Sequence, residues 1–262
     1  MQQAAVRHPG LCFVDGTSTS DHGLIKVHDT YTSPITETWP INVNKAYLVI
    51  ESLDGAASTT IDASAFAPVV DVDRPAAVLL KADDVTFGGD GAGFTIIAPD
   101  DAAPGVQPES YGVEIWLGID GATIEGNVIT GLVESPQVGI HVWGDDGNKH
   151  VGTTIRNNIL TTAYTTEADW AKMSAGIASP VDSGKKVNLD GATIVGNTVT
   201  GFSVGMNLDG LDGAIVIAAN TVNDSAYNGI SVSSVADGGH PIVDIYGNHV
   251  YGNGGNGIAD VV

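Results

Sequence analysis

The chain has 262 residues, of which 43% are hydrophobic and only 6% aromatic, with 34 glycines and a single cysteine. This composition suits a core of small and β-branched side chains cut by many tight turns, and it argues against disorder. With 31 Asp and Glu against 10 Lys and Arg, the net charge of -21 repels phosphate backbones and anionic membranes, so nucleic acid is not an expected partner.

The acidity suits a salt-rich, halophilic setting, a calcium-binding extracellular protein, or simply high solubility. Cys12 stands alone, so no intrachain disulfide or thiolate metal cluster can form. No stretch approaches the ~20 apolar residues of a membrane span, and membrane insertion is not expected. Residues 1–10 lack the apolar run of a signal peptide, which implies a mature form or another export route.

In chain order, residues 1–24 are expected to cap one domain spanning 1–262. Residues 25–27, 41–50 and 60–62 read as strands of opening coils. The glycine-rich segment 88–93 lacks the Lys and following helix of a phosphate loop, and it reads as a coil-to-coil turn.

From residue 112 the chain repeats. Residues 121–131 read Gly-Ala-Thr-Ile-Glu-Gly-Asn-Val-Ile-Thr-Gly, and residues 191–201 read Gly-Ala-Thr-Ile-Val-Gly-Asn-Thr-Val-Thr-Gly. Weaker copies at 154–161, 216–222 and 244–250 align Asn127, Asn158, Asn197, Asn220 and Asn248, roughly 20 to 40 residues apart. A second element, Gly followed by an alternating apolar strand, begins at Gly112, Gly139, Gly176, Gly205, Gly229 and Gly257. Each period therefore holds at least two short strands, which cannot bury a face alone and must stack as a solenoid. The asparagines are expected to stack in the bends, tolerating the left-handed conformation and bonding amide to amide along the axis. The longest spacings put insertions at 143–151 and 179–189.

The pattern Ile-x-Gly-Asn-x-Ile/Val, alternating with Gly-Ile-x-Val, resembles the pectate-lyase-like superfamily of right-handed parallel β-helices over residues 25–262. The resemblance implies an all-β, single-stranded right-handed parallel β-helix with an internal asparagine ladder. It also implies a carbohydrate-facing role, since that superfamily is mostly made of polysaccharide lyases, hydrolases, esterases and epimerases, alongside tailspikes and adhesins. The sharper motifs of its enzymes are missing: the chain has no Asp-Pro-His and no Arg-x-Pro-x-x-Arg. Catalytic residues therefore cannot be carried over from the enzymes.

Alternation within strands and stacking between coils place Glu114 over His141 and Trp116 over Trp143 on the outer surface. Two indoles beside a carboxylate and an imidazole can stack on a sugar ring and bond its edge. For elimination or epimerisation of a uronate, His141 is the candidate base. Lys149, His150 and Arg156 are candidates to neutralise or donate, and Glu114, Asp145 and Asp146 are candidates to hold Ca²⁺. Arg156 also falls opposite Glu125 as a cross-strand ion pair. An outward ladder of Thr123, Thr154 and Thr193 breaks at Val216 and Asp244.

Residues 257–262 read as the first strand of a further coil without a cap, so a fragment or self-association through that end is expected. Two functions stay open. One is an extracellular or cell-surface polysaccharide lyase or uronate epimerase acting on acidic polysaccharide. The other is a non-catalytic adhesin-like or tailspike-like β-helix.

Overall fold

The structure is a computed structural model that describes residues 11–13, 22–27, 31–32, 40–66, 76–99, 110–132, 137–144, 148–162, 174–179, 188–211, 213–234 and 242–261. The described strands wind through three sheets in turn, each strand pairing in parallel with its counterpart one coil away. The first sheet runs through Gly23–Val27, Leu48–Ser52, Thr86–Gly88, Thr123–Glu125, Thr154–Arg156, Thr193–Val195, Ala214–Ala218 and Ile242–Tyr246. The second runs through Tyr31–Thr32, Thr60–Asp62, Thr95–Ile97, Val128–Leu132, Ile159–Thr162, Thr198–Thr200, Thr221–Asn223 and His249–Tyr251. The third holds Ile41–Val43, Ala76–Leu80, Ser110–Ile115, Gln137–Val142, Ala175–Ser179, Val204–Leu211, Ile230–Ser234 and Ile258–Val261. This is the right-handed parallel β-helix that the resemblance implied.

Three strands per coil refine the expected minimum of two. The segment 41–50, read as one strand region, divides between the third and first sheets at Tyr47, whose φ of 59° turns the chain. The glycine-rich segment after Thr86–Gly88 turns the chain within one coil, toward Thr95–Ile97, and not between coils. Upstream, Leu11–Phe13 pairs antiparallel with Gly23–Val27 at the edge of the first sheet. A separate two-stranded ladder joins Lys149–Val151 to Asn188–Asp190, in the segments expected to hold insertions.

The asparagines form a hydrogen-bonded column. Oδ1 of Asn158 accepts from the backbone N–H of Asn127 at 3.0 Å and from its Nδ2 at 3.2 Å. Asn197, Asn220 and Asn248 repeat the pattern, with amide-to-amide distances of 3.0 Å. Each Nδ2 also reaches back to a core-strand carbonyl, as Asn158 does to Ile124 at 2.9 Å. The expected left-handed conformation belongs to a different residue: the one before each ladder asparagine, namely Gly126, Asn157, Gly196, Ala219 and Gly247, with φ between 53° and 68°. That residue makes the bend, which frees the following asparagine to turn its side chain inward and bond along the axis.

Glycines at the head of the third-sheet strands also have a steric reason. A Cβ on Gly112 would lie 2.5 Å from Cγ2 of Ile129 and 2.7 Å from the carbonyl oxygen of Gly139, and the same clash recurs at Gly139, Gly176, Gly205 and Gly229. The main core fills the bore mostly with aliphatic side chains, joined by Phe87 and Phe94, stacked at 5.0 Å, and by Phe202. At the last described coil Ile242, Tyr246, Tyr251 and Ile258 are exposed.

Candidate functional site

The third sheet carries the candidate residues of Ser110–Ile115 and Gln137–Val142. Its register pairs Glu114 with His141, and Val113 and Ile115 with Ile140 and Val142. The four aliphatic residues enter the core, so Glu114 and His141 point away from it, as strand alternation requires.

Glu114 and His141 are nevertheless not on the outer surface. Glu114 is 0% and His141 3% exposed, with Nδ1 of His141 3.0 Å from the Glu114 carboxylate. The ring of Tyr111 stacks on His141 at 4.3 Å and 5°. Ala76, Tyr111, Val138, Ala175 and Ala178 form a second apolar cluster there. Tyr111 reaches this side because Gly112 and Val113 both face the core, which breaks strict alternation and brings Tyr111 and Glu114 to one face. Nε2 of His141 is buried and has no hydrogen-bond partner among the described residues.

Trp116 and Trp143 follow these strands, and their backbone N–H groups continue the ladder by donating to Leu80 and Ile115. Both are half-buried. The rings meet edge to face, with centroids 4.9 Å apart. Lys81 occupies the same position one coil earlier, with Nζ 5.3 Å from the Trp116 ring centroid and its side chain exposed. An edge-to-face indole pair with an ammonium beside it presents a rigid apolar platform with one positive corner.

The other described candidates lie on other ladders. Lys149 is exposed on the two-stranded ladder. His150 is buried, with Nε2 2.7 Å from the carbonyl oxygen of Trp143 and Nδ1 3.1 Å from that of Ile119. Both ring nitrogens are thus engaged by backbone, and His150 does not face a substrate. Burial holds its pKa below the ordinary 6.5, outweighing the two carbonyls and Asp120, which raise it. Arg156 sits in the first sheet, not the third, and bonds the Glu125 carboxylate at 2.7 Å, the expected cross-strand pair. Asp145 and Asp146 lie outside the described residues. Among the described residues no group of three or more His, Cys, Asp and Glu side chains is placed to hold a metal ion.

The structure therefore brings together Glu114 with His141 and Trp116 with Trp143, and places Arg156 in the first sheet and Lys149 on the two-stranded ladder. Tyr111 and Lys81 were missed. Lys81 was hidden because its coil has Ala77 where the later coils have Gly, so residues 76–81 did not register with the repeat. The threonine ladder gains Thr86 below Thr123 and ends at Val216, as expected.

No curated protein matches the chain. A solved structure similar to it is that of the Dettilon tailspike protein, 15% identical, with a TM-score of 0.36 over 86% of this chain and 53% of the tailspike. The chain thus spans about half the length of that tailspike. A family model described as the right handed beta helix region matches residues 108–261, more than half of the chain and the same stretch that carries the glycine heads and the asparagine column; the chain belongs to that family.

Proposed function

We propose that the protein is an extracellular or cell-surface β-helix that binds polysaccharide without turning it over, through the platform of Trp116 and Trp143 with Lys81 at its edge. The observation that carries this reading is the half-buried indole pair, locked edge to face at 4.9 Å beside an exposed ammonium. Sugar rings offer C–H faces that stack on indole and hydroxyls that bond at the edge, and Lys81 adds a charge suited to a uronate. In a chain of net charge -21, a local cation is what allows an acidic polysaccharide to approach.

Turnover as a lyase or epimerase requires a base that touches the sugar. The 3% exposure of His141 and the placement of Lys149 and Arg156 on other ladders favour binding alone. Calcium held by Asp145 and Asp146 remains part of the lyase reading and enters the test as a separate arm.

The experiment is a titration of neutral and acidic polysaccharides against the protein and its Trp143→Ala and Trp116→Ala variants, with and without Ca²⁺, alongside ultraviolet absorbance for unsaturated uronate ends. Binding is expected to fall tenfold or more in either variant, about 1.4 kcal/mol, with no absorbance appearing. Absence of binding to every polysaccharide overturns the platform. Absorbance that disappears in His141→Ala restores the lyase.

A further inference from the structure

The row that carries the indole platform continues along the third sheet. His141 is in register with Ala178, Ala178 with Asn207, and Asn207 with Ser231. Two residues further along these strands, the row of Trp116 and Trp143 passes position 180, outside the described residues, and reaches Asp209 and Ser233. Met206 and Leu208 enter the core, so Asn207 and Asp209 point away from it; both are half-buried, as is Ser233. At roughly 4.8 Å for each coil, Asp209 lies about 10 Å beyond Trp143 and about 20 Å from Lys81.

The Asp209 carboxylate is held from both sides. Oδ1 accepts from the Ser233 hydroxyl at 2.7 Å and Oδ2 from Nδ2 of Asn207 at 3.1 Å, while the Ser179 hydroxyl donates to the Asp209 carbonyl oxygen at 3.3 Å. Each carboxylate oxygen has further acceptor capacity for an outside donor. A carboxylate fixed in this way accepts from two neighbouring hydroxyls of a sugar ring without first having to be ordered.

We infer that Asn207, Asp209 and Ser233 form a second saccharide subsite, one that takes a neutral ring, so that the row selects a heteropolysaccharide whose uronates are separated by neutral sugars. This rests on reading Trp116 and Trp143 as the binding surface. A chain laid along the row meets an ammonium at Lys81, then two indoles, then a carboxylate, so its own negative charge belongs at the Lys81 end. A polyuronate gains at Lys81 but sets a second carboxylate against Asp209, where like charges repel. A neutral glycan satisfies Asp209 and gains no charge pairing at Lys81.

The test uses two series of probes of graded charge, polygalacturonates of rising methyl-esterification and carboxymethyl-dextrans of rising substitution, titrated at one ionic strength. Wild-type affinity is expected to peak at intermediate charge. Asp209→Asn is expected to move the peak to the most charged member and to raise affinity for it by about threefold or more, and Lys81→Met to move the peak to the least charged. Asp244→Asn removes the same charge from an exposed position of the first sheet and is expected to leave the peak in place. Wild-type affinity that rises or falls steadily with charge overturns the subsite, as does a peak that Asp209→Asn leaves in place or that Asp244→Asn moves equally. Should Asp209→Asn fail to fold, Ser233→Ala, which leaves the carboxylate less firmly held, takes its place, and unaltered affinity for the intermediate members overturns the subsite too. Trp143→Ala separates the two readings. Binding that does not need Trp143, or none to either series, overturns the platform, whereas binding that needs Trp143 and ignores Asp209 overturns the subsite alone.

Discussion

His141 places Nδ1 3.0 Å from the carboxylate of Glu114 in a site where both side chains are almost wholly buried and Tyr111 stacks on the imidazole at 4.3 Å. Two ionisable groups taken out of water stabilise each other only while both are present. Removing one deprives the other of a buried hydrogen bond, at a cost of about 1 to 3 kcal/mol, whereas replacing both with apolar residues is often neutral. His141→Leu is therefore expected to lower the urea midpoint strongly, and Glu114→Leu combined with His141→Leu to recover most of the loss. A double variant as unstable as the sum of the singles would show that the pair is not coupled.

The asparagine column makes a graded prediction. Asn158 is fully buried, and its side chain meets the N–H and Nδ2 of Asn127, the carbonyl of Ile124 and Oδ1 of Asn197. Asn158→Ala leaves several buried polar groups unpaired, at about 1 to 3 kcal/mol each before relaxation. Asn248, at the end of the column and partly exposed, has water to replace its bonds. Equilibrium unfolding is expected to rank Asn158→Ala well below Asn248→Ala in stability.

Ala219 stands at φ 53° in the bend where other coils place Gly126, Gly196 or Gly247. A Cβ in the left-handed region costs about 1 kcal/mol, so Ala219→Gly is expected to raise the melting temperature. Gly196→Ala adds the same strain and a contact 2.5 Å from Oδ1 of Asn157, and should lower it. At Gly176 the clash is with Val199 and with backbone, so Gly176→Ala is expected to be the most damaging of the three.

The lowered pKa of His150 links stability to pH. The unfolded chain takes up this proton near 6.5 and the folded chain only at lower pH, so the unfolded state binds more protons between the two values. The contribution is fully present above 6.5 and is lost as pH falls from there toward the folded value. Thermal melts across this window are expected to show a shallower acid loss in His150→Gln than in the wild-type protein. Identical slopes would place the acid sensitivity on other groups.

Much of the architecture was legible because a solenoid repeats its own signals. The duplicated eleven-residue motif supplied the template, and its weaker copy at 154–161 aligned Thr123 with Thr154 and Glu125 with Arg156, the register following from Asn127 and Asn158. The earlier coils were harder: Ala77 replaces the marker glycine, and the strand Ala76–Leu80 is apolar throughout, which hides its alternation. The bend was assigned to the wrong neighbour because asparagine and glycine both tolerate positive φ, and only hydrogen bonding distinguishes their roles.

The amino-acid sequence by itself determined the coil, the register and which residues lie above one another, since each follows from short-range periodicity repeated along the chain. Only the tertiary structure decided that Glu114 and His141 are buried while Trp116 and Trp143 are not wholly so. A period of two says which way a side chain points from its sheet. It does not say what lies beyond, and a break in alternation as small as Gly112–Val113 was enough to bring Tyr111 against His141.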